Sequence, residues 1–302
     1  MKNTSYYDAT LKYLEDNPHV QLKERVIDFT NYDQSAKSAI PINLIKIRTA
    51  LGMSQSSFSN LLGISRTQYR KYESADEILR LDIAQRIPIK CGRPLFVLLR
   101  NSLYDEFLEA EVNPEGFDQI WFFGNSLTDG YFERYCKTLA AYLGNSSYQF
   151  SLPPSELDAR HFQLAAQENM NSIYIAIGEG IRAVRNYFGY SQEQIAELMN
   201  IALATYHEYE KASQRPRFNF LMAARWTVST GIHPFVPLSG THFKRIRYMQ
   251  NVRQEEIHRV IGKSSKEEIK STTSLVEGFY RTIENNADAL FFSFEDTFKK
   301  AS

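Results

Sequence analysis

The chain has 302 residues, 43% of them hydrophobic, and its 35 Lys and Arg balance 35 Asp and Glu. This composition is that of an ordinary globular protein with room for more than one domain, and it excludes disorder as the default state. The start, MKNTSYYDATLKYLED, carries no apolar run. No segment approaches the roughly 20 apolar residues of a membrane span, so a cytoplasmic protein with no membrane partner is expected.

Residues 1–40 read as an N-terminal helical extension, and residues 41–100 as a first compact unit. Within that unit, RTALGMSQSSFSNLLGISRTQYRKYE (48–73) places apolar residues at helical spacing, with breaks at Gly52 and Gly63. Ser54 can cap a helix beginning at Gln55, and Ser65 the helix after it, each by accepting from an otherwise unpaired backbone N–H. Gly63 supplies the positive φ that a tight turn between helices needs. The unit is basic, with ten Lys and Arg against four Asp and Glu over 41–100. The following stretch, 101–175, is acidic, with three against eleven. The neutral total therefore conceals two oppositely charged segments.

The 101–175 stretch reads as a helical connector rich in aromatics: WFF at 121–123, then Tyr131, Phe132 and Tyr135. An aromatic stripe at helical spacing points to core or a dimer interface, with a cage for a small ligand as the other reading. Residues 176–240 repeat the first unit. RNYFGYSQEQIAELMNIALATYHEYE (185–210) aligns without gaps to 48–73 at an offset of about 137, and TGIHPFVPL (230–238) parallels CGRPLFVLL (91–99) after a loop of unequal length. Ser191 takes the place of Ser54, and Asn200, tolerated at positive φ, that of Gly63. Residues 241–302 read as a C-terminal helical segment. Within it RYMQNVRQEEIHRVIGKSS (247–265) is a fainter echo through Gln254, Ile257 and Gly262, a possible degenerate third unit. His258, Lys263, Glu268 and Ser271 stand where that pattern wants small or apolar residues, as an amphipathic helical tail would have them.

The run from Arg48 through Gly52, Ser54-Gln55, Phe58, Gly63, Ser65 and Tyr69 to Glu73 resembles the helix-turn-helix of the XRE family, the Cro and cI type of repressor. The resemblance covers 44–100 and, more loosely, 181–238. It implies an all-α fold of tandem lambda-repressor-like units joined by a helical connector, with double-stranded DNA as partner. In this fold the second helix of the motif enters the major groove while the first crosses the backbone. Carried over residue by residue, the resemblance implies base reading by Arg66, Thr67 and Lys71. It implies backbone contact by Gln68 and Arg70, phosphate contact by Gln55, and capping by Ser65. Arg48 with Glu73, and Arg185 with Glu210, resemble the family's structural ion pair.

Rotation at about 100° per residue supports the outward placement of the charges. With Tyr69 at zero, Leu62 and Tyr72 fall within about 60°, whereas Thr67, Arg70 and Lys71 fall roughly 100° to 200° away. At the positions of Ser65, Arg66, Thr67, Arg70 and Lys71 the second unit has Ala202, Leu203, Ala204, His207 and Glu208. Its cap is lost and its outward face is nearly neutral. Gln192, Thr205 and the loop residues Arg215 and Arg217 are its remaining candidates for DNA contact.

The chemistry-bearing residues left over form no catalytic constellation. Six histidines are scattered without metal-ligand spacing, and Cys91 and Cys136 stand as isolated thiols suited to packing. No catalytic residue, metal or cofactor is expected. The expected function is a sequence-specific transcriptional regulator, reading with its first unit and touching phosphate or a protomer with its second. A homodimer would supply paired half-sites, and whether two units of one chain or two chains provide them is open. The rival is an adaptor of anti-repressor or antitoxin type, docking a protein through the second unit or the connector. A regulator gated by a ligand in the aromatic connector is a third reading.

Overall fold

The computed structural model describes residues 5–91, 93–107, 117–153, 170–211, 218–262, 264–283, 286 and 289–290. Among these, every regular element is a helix, and the only strand-like pairings are two single-residue bridges. The fold is all-α. Helix α1 spans Tyr6–Asp16, and α2 runs unbroken over Thr30–Ala50, across the expected division at residue 40. Its buried stripe of Ala36, Ile40, Asn43, Leu44 and Ile47 has the three-and-four spacing of an amphipathic helix. Helices α3 (Gln55–Leu62), α4 (Arg66–Glu73), α5 (Leu81–Ala84) and α6 (Arg86–Cys91) complete the first unit. The Asn43 amide clamps the next segment by donating to the Leu98 and Arg100 carbonyls at 2.9 and 2.8 Å.

The second unit is built from α9 (Met170–Tyr187), α10 (Gln192–Leu198), α11 (Leu203–Glu210) and α12 (Phe220–Thr230). The turns match: Gly63 has φ +65° between α3 and α4, and Asn200 has φ +50° between α10 and α11. A further match escapes the gapless alignment. The Arg86 guanidinium donates to the Leu62 and Gly63 carbonyls at 2.7 and 3.2 Å, and that of Arg225 to the Met199 and Asn200 carbonyls at 3.2 and 3.0 Å. Each arginine thus satisfies carbonyls that the end of a helix leaves without intrahelical partners.

The N-terminal extension belongs with the second unit rather than the first. Helix α1 packs along α9, where Arg182 lies 5.3 Å over the Tyr7 ring and the Asn186 amide donates to the Tyr7 hydroxyl at 2.9 Å. Backbone N–H groups of Lys23 and Arg25 then donate to Thr230 and Ser229 carbonyls at the end of α12. The strap leads into α2, whose Asp33 pairs with Arg225 at 2.7 Å.

The aromatic connector and the C-terminal segment form one helical body. It contains α7 (Phe117–Ser126), α8 (Asp129–Tyr142), α13 (His242–Ile261) and α14 (Lys266–Ile283). Trp121, Phe122, Phe123, Phe132 and Tyr135 are all buried, with Phe123 edge-on to Tyr135 at 5.3 Å and to Phe279 at 5.9 Å. The stripe is core. Arg253, only 2% exposed, donates to the Gly124 and Leu127 carbonyls, pairs with Asp129 at 2.8 Å and lies over the Phe132 ring.

In the third echo, the turn that precedes the first helix of the motif is not formed. A turn at residues 251–253 would correspond to Gly52 and Gly189, which have φ of +66° and +75°. Asn251, Val252 and Arg253 instead continue α13 without interruption. No glycine is present to open the helix there, and the Arg253 contacts reward keeping it closed.

One close approach fixes how α9 meets the segment after α12. A Cβ on Gly180 would lie 2.0 Å from the Pro237 carbonyl oxygen, a backbone atom that cannot swing aside. Gly180→Ala is expected to destabilise the chain by about 1–3 kcal/mol, the usual cost of overpacking. Thermal unfolding checks it, with Gly130→Ala as the control, since a Cβ there meets nothing within 4 Å.

Candidate nucleic-acid interface

Helix α3 starts at a Ser54 cap accepting from the Ser57 N–H at 3.1 Å, and α4 starts at a Ser65 cap accepting from the Gln68 N–H at 3.1 Å. Phe58 and Tyr69 meet edge to face at 5.3 Å, and Tyr69 and Tyr72 are buried, which turns the opposite side of α4 outward. On that side Arg66, Thr67 and Arg70 are exposed, and the Lys71 side chain is 45% exposed. A groove lined by Ile45, Gln55, Thr67, Arg70, Lys71 and Asp76 runs between α4 and the start of α3.

The C-terminal end of α4 is fastened by one carboxylate. Glu73, 6% exposed, pairs with Arg48 at 2.7 Å and accepts from the Tyr69 hydroxyl and the Gln55 amide, both at 2.6 Å. Arg48 also donates to the Met53 carbonyl at 2.9 Å, closing the loop between α2 and α3. Burial works to raise the Glu73 pKa, but the hydrogen bonds from Arg48, Tyr69 and Gln55 outweigh it and hold the carboxyl below its ordinary value. Gln55, expected at phosphate, thus has its side chain committed to Glu73. What it can offer an anion is its backbone N–H in the first turn of α3.

Lys71, a base-reading candidate, and Gln68, a backbone-contact candidate, also have an intramolecular partner. Glu77, beyond the end of α4, accepts from Lys71 at 2.5 Å and from the Gln68 amide at 2.6 Å. Sequence periodicity gave no sign of this, because Glu77 lies in the turn after α4 and reaches the helix only through the backward bend of the chain. Arg86 was legible in principle. The second block of the repeat, CGRPLFVLL against TGIHPFVPL, aligns Arg86 with Arg225 once the loop difference is allowed.

The second unit repeats the fastening. Arg185 pairs with Glu210 at 2.6 Å, the Gln192 amide donates to Glu210 at 2.6 Å, and Arg185 donates to the Tyr190 carbonyl at 2.9 Å. A capping box of Ser191 and Gln194 starts α10, whereas Ala202 leaves α11 without a side-chain cap. Its groove is lined by Arg182, Gln192, His207 and Lys211 among others. Arg182 and Lys211 stand where the first unit has Ile45 and Ser74, so the flank is more basic than α11 alone. Thr205 is exposed at the outward face. Arg215 and Arg217 lie outside the described residues.

Both thiols are buried, and burial pushes each up to about 12, which leaves them protonated and unreactive at neutral pH. Among the described residues no group of three or more His, Cys, Asp or Glu is placed to hold a metal ion, and no helix is long and apolar enough to cross a membrane.

Residues 44–98 match the model of a helix-turn-helix family of XRE type. Domains of this type characterise DNA-binding regulators and are not enzymatic. No curated protein and no solved structure matches the chain significantly.

Removing the Glu73 charge tests the fastening. Glu73→Gln is expected to cost about 2–3 kcal/mol at pH 7, because the half-buried Arg48 charge loses its partner. A carboxyl with a lowered folded pKa contributes stability that is present above its unfolded value, near 4.5, and lost as pH falls through the folded pKa. Urea unfolding at pH 7 and at pH 3.5 should therefore show the gap between wild type and variant closing in acid.

Proposed function

We propose that the protein is a sequence-specific DNA-binding transcriptional regulator whose first unit reads the major groove through α4. One observation carries this: Thr67, Arg70 and Lys71 share the outward side of a capped helix, with Arg66 exposed in its first turn, and the other side of the helix is locked by Tyr69, Tyr72 and Glu73. Arg66 and Lys71 can donate to guanine O6 and N7, while the Thr67 hydroxyl can hydrogen-bond to a base edge and its methyl group can pack on a thymine methyl. Gln68 and Arg70 serve the backbone, together with the N–H groups at the start of α3. Binding exchanges the Lys71 and Gln68 contacts with Glu77 for contacts with DNA.

The second unit contributes mostly phosphate contacts, through the backbone N–H of Gln192 and the side chains of Thr205, Arg215 and Arg217, with little base reading. Leu203 and Ala204 offer no hydrogen bond to a base edge, and Glu208 is repelled by phosphate. The neutral face of α11 also favours the rival in which this unit docks a protein, and a charge-independent function of α4 would establish that rival.

Changing Thr67 or Lys71 to Ala should relax preference at particular base pairs, at about 1–3 kcal/mol per lost base contact, whereas Arg70→Ala should weaken all sequences alike. Selection from random duplexes distinguishes them, and identical motifs for all variants would overturn the assignment of readers. Replacing Arg215 and Arg217 together with Ala should flatten the slope of log affinity against log salt by up to about 1.8, near 0.9 per phosphate, and leave the preferred sequence intact. Titration of one duplex across a salt series measures it; an unchanged slope removes the second unit from the phosphate backbone.

A further inference from the structure

We propose that one chain acts as a built-in dimer and reads a bipartite, non-palindromic duplex site of about two turns without a second copy. The inference rests on the DNA-reading function above and specifies its substrate. Arg80 occupies the N-cap position of α5, Asn219 occupies that of α12, and the two form an antiparallel bridge. The Phe220 N–H donates to the Leu79 carbonyl at 3.1 Å beside it. The chain direction reverses between residues holding the same place in the two units, which is the relation a two-fold axis generates. In a symmetric dimer the partner's copy of one segment would stand there.

This junction is permanent. Leu79, Leu81 and Phe220 are buried in it, and Phe96 packs against Phe220 at 6.2 Å and edge-on to His233 at 5.2 Å. The Tyr174 hydroxyl donates to the fully buried Asp82 at 3.2 Å, Asp33 pairs with Arg225, and the strap at Lys23 and Arg25 is bonded to the end of α12. The surface through which a unit of this kind would pair with another copy is therefore filled from within the chain.

The local axis lies beside the reading helix. Glu77 touches Gln68 and Lys71 of α4 and is three residues from Arg80, a reach of at most about 11 Å along the chain. A two-fold at Arg80 and Asn219 carries α4 onto α11, so the two helices flank the axis in opposite directions. That is the arrangement in which paired reading helices meet a duplex about 34 Å, one turn, apart. Their faces differ, with Arg66, Thr67, Arg70 and Lys71 on one and Leu203, Ala204, His207 and Glu208 on the other. The preferred site must then be strongly specified in one half and weakly in the other.

The test uses the full chain and duplexes selected from a random pool. The expected result is an asymmetric motif, a footprint of about two turns, and one chain per duplex by native mass spectrometry. Shortening the duplex to the strong half alone should cost about tenfold or more in affinity, because the contacts of the second unit no longer add to those of the first. A palindromic motif bound by two chains overturns the inference and leaves the DNA-reading function standing. So does a one-turn footprint with an affinity indifferent to the shortening. Failure to enrich any sequence overturns both.

Discussion

The arrangement of α3 and α4, and that of α10 and α11, depends on a carboxylate at the end of the second helix of each pair. Glu73 receives Arg48 from α2, Gln55 from α3 and Tyr69 from its own helix, so a single charged group ties three helices at one point. An eight-residue helix is too short to hold its own shape in water, and its orientation must come from tertiary contacts. Glu210 does the same for α11 with Arg185 and Gln192. Because the group is nearly buried, the network is stringent: a paired carboxylate fixes the geometry, and an unpaired one would be costly.

The outward side of α4 is free to carry function because the fastening lies elsewhere. Tyr69, Tyr72 and Glu73 face inward, and the arginine clamp from Arg86 holds the turn from behind. The outward residues can therefore change without disturbing the helix, and the second unit is the internal demonstration. It keeps Arg185, Glu210, Gln192 and the Arg225 clamp, yet has lost nearly every charge on the outward side of α11. Its cap went with them, since Ala202 stands where Ser65 does.

Joining the units inside one chain alters what each must do. A strap from the N-terminus, a buried Asp82, and the Asp33–Arg225 pair hold the second unit against the first. The third helical body, formed by α7, α8, α13 and α14, closes its own core around Trp121, Phe123 and Arg253, and the Gln250 amide ties it to the first unit by donating to the Ile89 carbonyl at 2.7 Å.

Helical periodicity, serine caps and the 137-residue repeat were enough to read the all-α class, the turns at Gly63 and Asn200, and the inward and outward sides of α4. These are local properties, set by spacing along one or two helices and by which residues tolerate positive φ. Glu77 against Lys71, the clamps of Arg86 and Arg225, the attachment of α1 to α9, and the joining of the connector to the C-terminal helices were decided only in the tertiary structure. So was the continuous α13, where a weak echo of the motif gave way to the burial of Arg253. Each joins residues far apart in the chain or beyond an irregular loop, and the periodicity of one segment carries no information about which distant face will cover it.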